Sequence, residues 1–371
     1  MIKVLIVDDS AFMRKALSTL LAKDETIEVV GTARDGEDAL VQIPKLDPDV
    51  ITLDIEMPKL DGLTTLQRIM KEFPRPVIMV SSLTESGADA TLKALDYGAL
   101  DYIPKSLNSD QQAFASELTT KVRAVARRRA IMQLRFSRQK EGASHAAHTP
   151  THGHAVSASG VHTPTAAGAA PRHAPFTPCK GPRDIVAIGV STGGPPCVQK
   201  ILSSLPADFP ACILIAQHMP AAFTGPFAKR LDGVSKITVT EAKDGDPIKS
   251  GHAYVCPGGK HISLRARGAL MDVMVSTEPT TALYKPTANV LFESVGNLHG
   301  RKSAAIILTG MGNDGVEGMK IFKEKGGYVL AQNEQSCVVY GMPKAVVDAG
   351  LADQILDVDH IADALITAVK G

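Results

Sequence analysis

The stretch Asp184-Ile-Val-Ala-Ile-Gly-Val-Ser-Thr-Gly-Gly194 decides how this chain is read. Ile185 to Val190 is an uninterrupted apolar run, the pattern of a buried strand, and it ends in the turn Gly189-Val190-Ser191-Thr192-Gly193 with a helix expected from Pro195. A strand, such a turn and a helix present a serine. The small neighbours let the backbone bend sharply, and free N–H groups at a helix start suit a developing negative charge. Gly and Ser are also what any strand-to-helix loop favours, so an ordinary turn stays open at this point.

Around that stretch, 371 residues with 44% hydrophobic content suffice for two cores. A net charge of +1 gives no basic field for nucleic acid and no acidic tail. Cys179, Cys197, Cys212, Cys256 and Cys337 are odd in number and form no Cys-x-x-Cys pair, so they read as reduced, mostly buried thiols. The start, Met1-Ile-Lys-Val-Leu-Ile-Val-Asp-Asp, lacks a basic leader, and no apolar run reaches bilayer length. A cytoplasmic location without direct membrane insertion is expected.

Residues 1–135 alternate apolar runs with amphipathic stretches, the signature of a five-stranded, doubly wound parallel sheet in an α/β domain. The spacing predicts strands at Lys3 to Val7, Ile27 to Gly31, Val50 to Leu53, Val77 to Val80 and Asp101 to Ile103. Helices are expected from near Ser10, Gly36, Gly62 and Gly87, and a last one from Asp110 to Arg129. Its end, Arg127-Arg128-Arg129, complements a helix C-terminus and reads as a solvated end.

Open parallel sheets place ligands at the C-terminal ends of their strands. There Asp8 and Asp9 follow the first strand, Asp54 closes the third, Ser81 closes the fourth and Lys105 follows the fifth. Three carboxylates on one edge repel one another unless a hard cation joins them, so a Mg²⁺ site is expected. Val7-Asp8-Asp9-Ser10, Asp54-x-x-Met57-Pro58-x-x-Asp61-Gly62, Val80-Ser81-Ser82 and Lys105 together resemble the response-regulator receiver family. That resemblance implies phosphorylation of Asp54 by a partner histidine kinase, with Mg²⁺ on Asp9, Asp54 and the Glu56 carbonyl, and with Asp8 acting mainly through water. It also implies that Ser81 bonds the phosphoryl oxygen and Lys105 pairs with it. Ser106 departs from the family pattern, which has proline there. An acyl phosphate at Asp54 adds charge and strong acceptors, which draws in Ser81 and Lys105 and biases a two-state surface.

Residues 136–182 lose apolar periodicity and fill with Ala, Thr, Ser, Gly, Pro and His, so a flexible linker is expected. Its histidines, His145, His148, His152, His154, His162 and His173, lack helix-supported ligand spacing, and they are not read as a metal site.

Residues 183–371 resume the alternation, with strands at Asp184 to Val190, Ala211 to Ala216, Ser303 to Leu308 and Tyr328 to Ala331. Helices are expected at Pro195 to Leu205, Phe223 to Leu231, Thr287 to Leu298, Val316 to Lys325 and after Met342. Lys236 to Val275 has short alternating strands and Gly turns, so an antiparallel insertion is expected in a second α/β fold with a mainly parallel sheet.

Ser191, His218 and Asp314 each follow a predicted buried strand, so one sheet edge can gather them. A serine needs a base to become nucleophilic, the base needs its tautomer fixed, and a carboxylate does that. Singly, His218 also reads as a loop histidine and Asp314 as the N-cap of the helix that follows it. Met311, between glycines, offers backbone N–H groups for an oxyanion site. The order serine, histidine, aspartate differs from that of α/β-hydrolases, in which the acid precedes the histidine.

Ser191-Thr192-Gly193-Gly194, Gln217-His218-Met219-Pro220 and Gly310-Met311-Gly312-Asn313-Asp314-Gly315 resemble the catalytic domain of the chemotaxis protein-glutamate methylesterase family. With the receiver, the resemblance covers all but the linker. It implies hydrolysis of glutamate γ-methyl esters on chemoreceptors with release of methanol, deamidation of receptor glutamines, and no cofactor for the ester step. Ser191 would be the nucleophile, His218 the base and Asp314 its orienting acid, with the oxyanion on the Met311 N–H and groups near Thr192. An unphosphorylated receiver lying over the Ser191 edge is the expected means of control. Two rivals fare worse: a transcription factor needs a basic recognition helix, and a nucleotide-binding module needs a Gly-rich or P-loop fingerprint after the Asp184 to Val190 strand. Neither feature is present in the sequence.

Overall fold

The computed structural model describes residues 1–82, 84–105, 111–130, 132–133, 182–268 and 270–371. Nearly all of the expected linker, with its six histidines and Cys179, lies outside the described residues, as does Ser106.

The first sheet contains β1 (Ile2–Val7), β2 (Ile27–Ala33), β3 (Val50–Asp54), β4 (Val77–Ser81) and β5 (Asp101–Pro104) in the order β2-β1-β3-β4-β5, all parallel. β3 and β4 are buried at every position because helices cover both faces, which explains their unbroken apolar sequences. The helices α1 (Ala11–Leu21), α2 (Gly36–Leu46), α3 (Gly62–Glu72) and α4 (Glu85–Asp96) start where Ser10, Asp35, Asp61 and Thr84 cap free N–H groups. The Thr84 cap sets the start of α4 two residues before the expected Gly87. α5 (Gln111–Ala126) closes the unit.

The arginine cluster after α5 is not simply a solvated end. Arg129 pairs with Asp49 and, at 2.6 Å, with Asp47, while Arg128 donates to the Gln335 carbonyl at 3.2 Å. Charge at this helix end therefore ties it down, partly to the second half of the chain.

The second sheet is parallel throughout and has the order β14-β13-β12-β6-β7-β9-β8. Its strands are β6 (Ile185–Val190), β7 (Cys212–Gln217), β8 (Thr238–Glu241), β9 (His252–Val255), β12 (Ser303–Ile307), β13 (Tyr328–Gln332) and β14 (Gln354–Leu356). β10 (His261–Arg267) and β11 (Leu270–Ser276) pair antiparallel in a separate two-stranded sheet. The antiparallel part is thus narrower than Lys236 to Val275, because β8 and β9 extend the main sheet. The four described cysteines are buried and free.

β6 lies between β7, which follows it, and β12, which returns much later, so the winding reverses beside β6. Such reversals open a crevice at the strand ends. Helices α6 (Gly194–Ser204) and α7 (Ala221–Val234) follow β6 and β7, while α8 (Ala288–His299) packs on α9 (Val316–Glu324) against the sheet. Two short helices, α10 (Met342–Asp348) and α11 (Val358–Lys370), complete the chain.

The two sheets are joined through side chains. α4 packs on α7, Asp96 pairs with Arg230, and Tyr102 stacks on Phe223 with centroids 4.8 Å apart.

Gly189 lets α8 approach β6, since a Cβ there would lie 2.7 Å from the Phe292 ring and from the Ala288 Cβ. Phe292 itself is fully buried. Phe292→Ala is expected to destabilise the second unit by about 3–5 kcal/mol, seen as a lowered urea midpoint. A midpoint within error of the parent would mean that α8 is not held through this ring.

Candidate active site

Ser191 follows β6 on a tight turn that Gly193 completes in the left-handed region at φ 71°, leading into α6. The turn is pinned from two sides: the Ser191 N–H donates to the Thr309 carbonyl at 3.0 Å, and Gln217 Nε2 donates to the Ser191 carbonyl at 3.0 Å. Gly310 brings the loop after β12 against the serine, where any Cβ would lie 2.7 Å from the Ser191 Cβ. His218 extends β7, its N–H donating to the Val190 carbonyl at 3.0 Å. Three separate strand ends therefore meet at one crevice.

Asp314 is 6% exposed and lies 2.8 Å from His218 Nε2 through its Oδ2. It does not cap the helix after it, which starts at Val316 with Gly315 as its N-cap and no side-chain cap. Instead it lies at the N-terminus of α8, where it accepts from the Ala288 N–H at 2.7 Å, the Asn289 N–H at 3.3 Å and the Thr287 hydroxyl. Burial opposes its charge, yet the bonds from His218, Thr287 and Ala288 outweigh burial and hold the carboxyl below its ordinary value. With Nε2 engaged, the imidazole keeps Nδ1 for other chemistry. Among the described residues Ser191 Oγ makes no hydrogen bond to His218, although both side chains line the same cavity of about 770 Å³.

Thr192 and Met311 line that cavity too. Among the described residues their backbone N–H groups donate to no protein acceptor, which leaves them available to an anion in the crevice. The opposite wall comes from the first unit, through Tyr102 and Pro104 of β5 and Glu117 and Lys121 of α5.

At the first sheet's edge, carboxylate oxygens of Asp8, Asp9 and Asp54 lie within 4.8 Å of one another. Lys105 Nζ is 2.8 Å from Asp54 Oδ2 and 3.1 Å from Asp8 Oδ2, the latter an ion-pair contact without hydrogen-bond geometry. Burial pushes the Asp54 carboxyl up to about 6, against the pull of Lys105 and with help from the Asp8 charge. Three carboxylates against one lysine, with a buried Asp8 oxygen lacking a hydrogen bond, form an all-oxygen donor set suited to a hard dication. Glu56 is exposed in the bend after β3. The Ser81 hydroxyl is engaged within its own unit, donating to the Gly87 carbonyl at 3.2 Å and accepting from Thr91 at 2.7 Å.

Comparison with known proteins places these features in context. Residues 186–365 match the CheB methylesterase family, and residues 4–115 match the response regulator receiver domain. A protein-glutamate methylesterase/protein-glutamine glutaminase 2 of Nitratidesulfovibrio vulgaris is 57% identical over 372 residues, covering 100% of both chains. A protein of the same description from Lawsonia intracellularis is 54% identical, covering 100% of this chain and 99% of its own. The chain belongs to the CheB methylesterase family. Among solved structures, the Thermotoga maritima CheB methylesterase catalytic domain is 40% identical over 50% of this chain and 97% of its own, with a TM-score of 0.48.

Several groups that shape the site were not legible as site residues. Thr287 was expected only as a helix start, yet its hydroxyl bonds Asp314. Gln217 clasps both strand ends, donating to the Ser191 and His218 carbonyls. Tyr284 stacks on His218, an arrangement that a turn-rich stretch with two prolines gives no periodic signal for.

The lowered pKa of Asp314 makes its contribution to stability depend on pH. A carboxyl held below its unfolded value stabilises the fold above roughly pH 4 and ceases to do so as pH falls through its folded value. Thr287→Val removes one donor and should destabilise by about 1.5–3 kcal/mol at pH 7, with the deficit shrinking as pH drops below roughly 4. Urea unfolding at several pH values measures this. A deficit that persists unchanged at pH 2 would mean the lost bond was not to a charged group.

Proposed function

We infer that Ser191, His218 and Asp314 carry the hydrolysis by which this chain, a receiver-controlled protein-glutamate methylesterase and glutaminase, converts glutamate γ-methyl esters to glutamate. The observation that supports this most is the meeting of the three strand ends at the reversal point, with His218 Nε2 held 2.8 Å from a buried carboxylate. Ser191 Oγ attacks the ester carbonyl while His218 takes its proton at Nδ1, a bond that tightens with substrate in place. The oxyanion sits on the N–H groups of Met311 and Thr192. His218 then protonates the departing methanol, or ammonia from a glutamine, and water releases the glutamate by the same proton route. Asp314 remains ionised throughout and stabilises the imidazolium. Methyl-accepting chemoreceptors are the substrate, in the cytoplasm, and adaptation in chemotaxis is the role.

Ser191→Ala should abolish methanol release from methylated receptor, a loss of several orders of magnitude, while circular dichroism stays that of the parent. Release at parental rate would remove Ser191 from the mechanism.

A histidine kinase supplies the phosphoryl group to Asp54; Asp9, Asp54 and the Glu56 carbonyl would hold Mg²⁺, with Asp8 mainly through water, and the ion would supply charge neutralisation for the transfer. Phosphorylation recruits Ser81 from its bonds to Gly87 and Thr91, and Lys105 from its pairing with Asp8. Lys105 directly follows the strand bearing Tyr102, whose ring rests on Phe223 beside the cavity. A pull on Lys105 is therefore a pull on the wall that α5 and β5 place over Ser191. Tyr102→Ala, which removes an aromatic pair worth about 0.5–1.5 kcal/mol beyond its area, should raise methanol release by the unphosphorylated chain roughly two- to tenfold. An unchanged basal rate would separate the stack from control of access.

A further inference from the structure

Tyr284 lays its ring on the His218 imidazole, with centroids 4.4 Å apart and planes 16° from parallel. Three residues later the same loop supplies Thr287, whose hydroxyl binds Asp314. One short segment thus grips both the face of the imidazole and the carboxylate on its edge. A single hydrogen bond at Nε2 leaves an imidazole free to turn about that bond, and a flat neighbour removes this freedom. The face of an aromatic ring is also its negative side and attracts a cation laid upon it.

We propose that Tyr284 is a positioning residue for the ester hydrolysis: its ring face fixes the plane of His218 and stabilises the imidazolium formed when the serine proton is taken up. This rests on the reading of His218 as the base. Tyr284 stays a neutral phenol, because burial and the carboxylates of Asp314 and Glu117 push its hydroxyl up. The charges facing His218 from other elements are Asp314, Lys285 on the same loop, and Asp101, Glu117 and Lys121 across the cavity. Lys121 lies 3.1 Å from both Asp101 and Glu117, so this distant group is internally paired. The carboxylate at the edge and the ring on the face are then the near influences on the cation.

The test uses the full chain, activated with a small-molecule phosphodonor, and follows methanol release from methylated receptor against pH. Tyr284→Phe keeps the ring face and should stay within about twofold of the parent, with the acid limb of kcat/KM in place. Tyr284→Leu keeps apolar cover but no ring, and should lose about tenfold in kcat with the acid limb moved down by roughly half to one pH unit. A ring-fluorinated phenylalanine at 284 retains shape while weakening the face; it should behave as Leu does, and it serves if the Leu variant does not fold. An unmoved acid limb in both the Leu and the fluorinated variants, or a Phe variant as impaired as the Leu one, overturns the proposal. His218→Ala separates the two readings. If it retains activity, the base assignment fails; if it is inactive while the ring substitutions match the parent, only the role of Tyr284 fails.

Discussion

Everything in the second unit's crevice depends on keeping one carboxylate charged inside the protein. Asp314 is almost wholly removed from water, and an ionised group in that position is tolerated only if donors replace the lost hydration. The N-terminus of α8 supplies those donors as backbone N–H groups, together with the Thr287 hydroxyl and the His218 ring. This explains why α8 must sit close on β6, and why Gly189 and Ala288 are small where strand and helix touch. The packing of the core and the acidity of the site are thus one problem with one solution.

The same economy joins the two halves of the chain. The cavity that holds Ser191 and His218 takes its far wall from α5 and β5. β5 also ends at the residue before Lys105, which bridges Asp8 and Asp54. A chemical change at Asp54 is therefore one strand-length from the wall of the esterase crevice. β5, which Lys105 directly follows, also carries Tyr102, the ring that rests on Phe223 of the other unit.

The architecture was largely legible because both sheets are parallel and covered on both faces, which produces unbroken apolar runs such as Val50–Asp54 and Ile185–Val190. Ser191 and His218 stand out because they directly follow such runs, and Asp314 because it lies in the Gly-rich loop that follows another. What escaped reading had a common cause. β8 and β9 fall in a stretch whose short alternating runs read like hairpins, and only the sheet order gives them parallel partners at the β7 end of the main sheet. The loop 277–287 has no period at all, so the stacking of Tyr284 and the bond from Thr287 follow from tertiary placement. Asp314 looked like a cap for the helix next in sequence and turned out to serve one that begins 26 residues earlier.

The contacts between the two units include the Tyr102–Phe223 stack, the Asp96–Arg230 pair, the Arg128–Gln335 hydrogen bond and the packing of α4 on α6 and α7, beside a wall bearing Asp101, Glu117 and Lys121. Burial raises the Asp101 carboxyl toward neutrality although Lys121 resists it, so the wall keeps charge where water would hold it better. Phosphorylation supplies one to three charge-assisted hydrogen bonds, enough to shift a balance of a few kcal/mol but not to break a domain core. The charged part of this wall is the part that the small free energy of one phosphoryl group can rebalance.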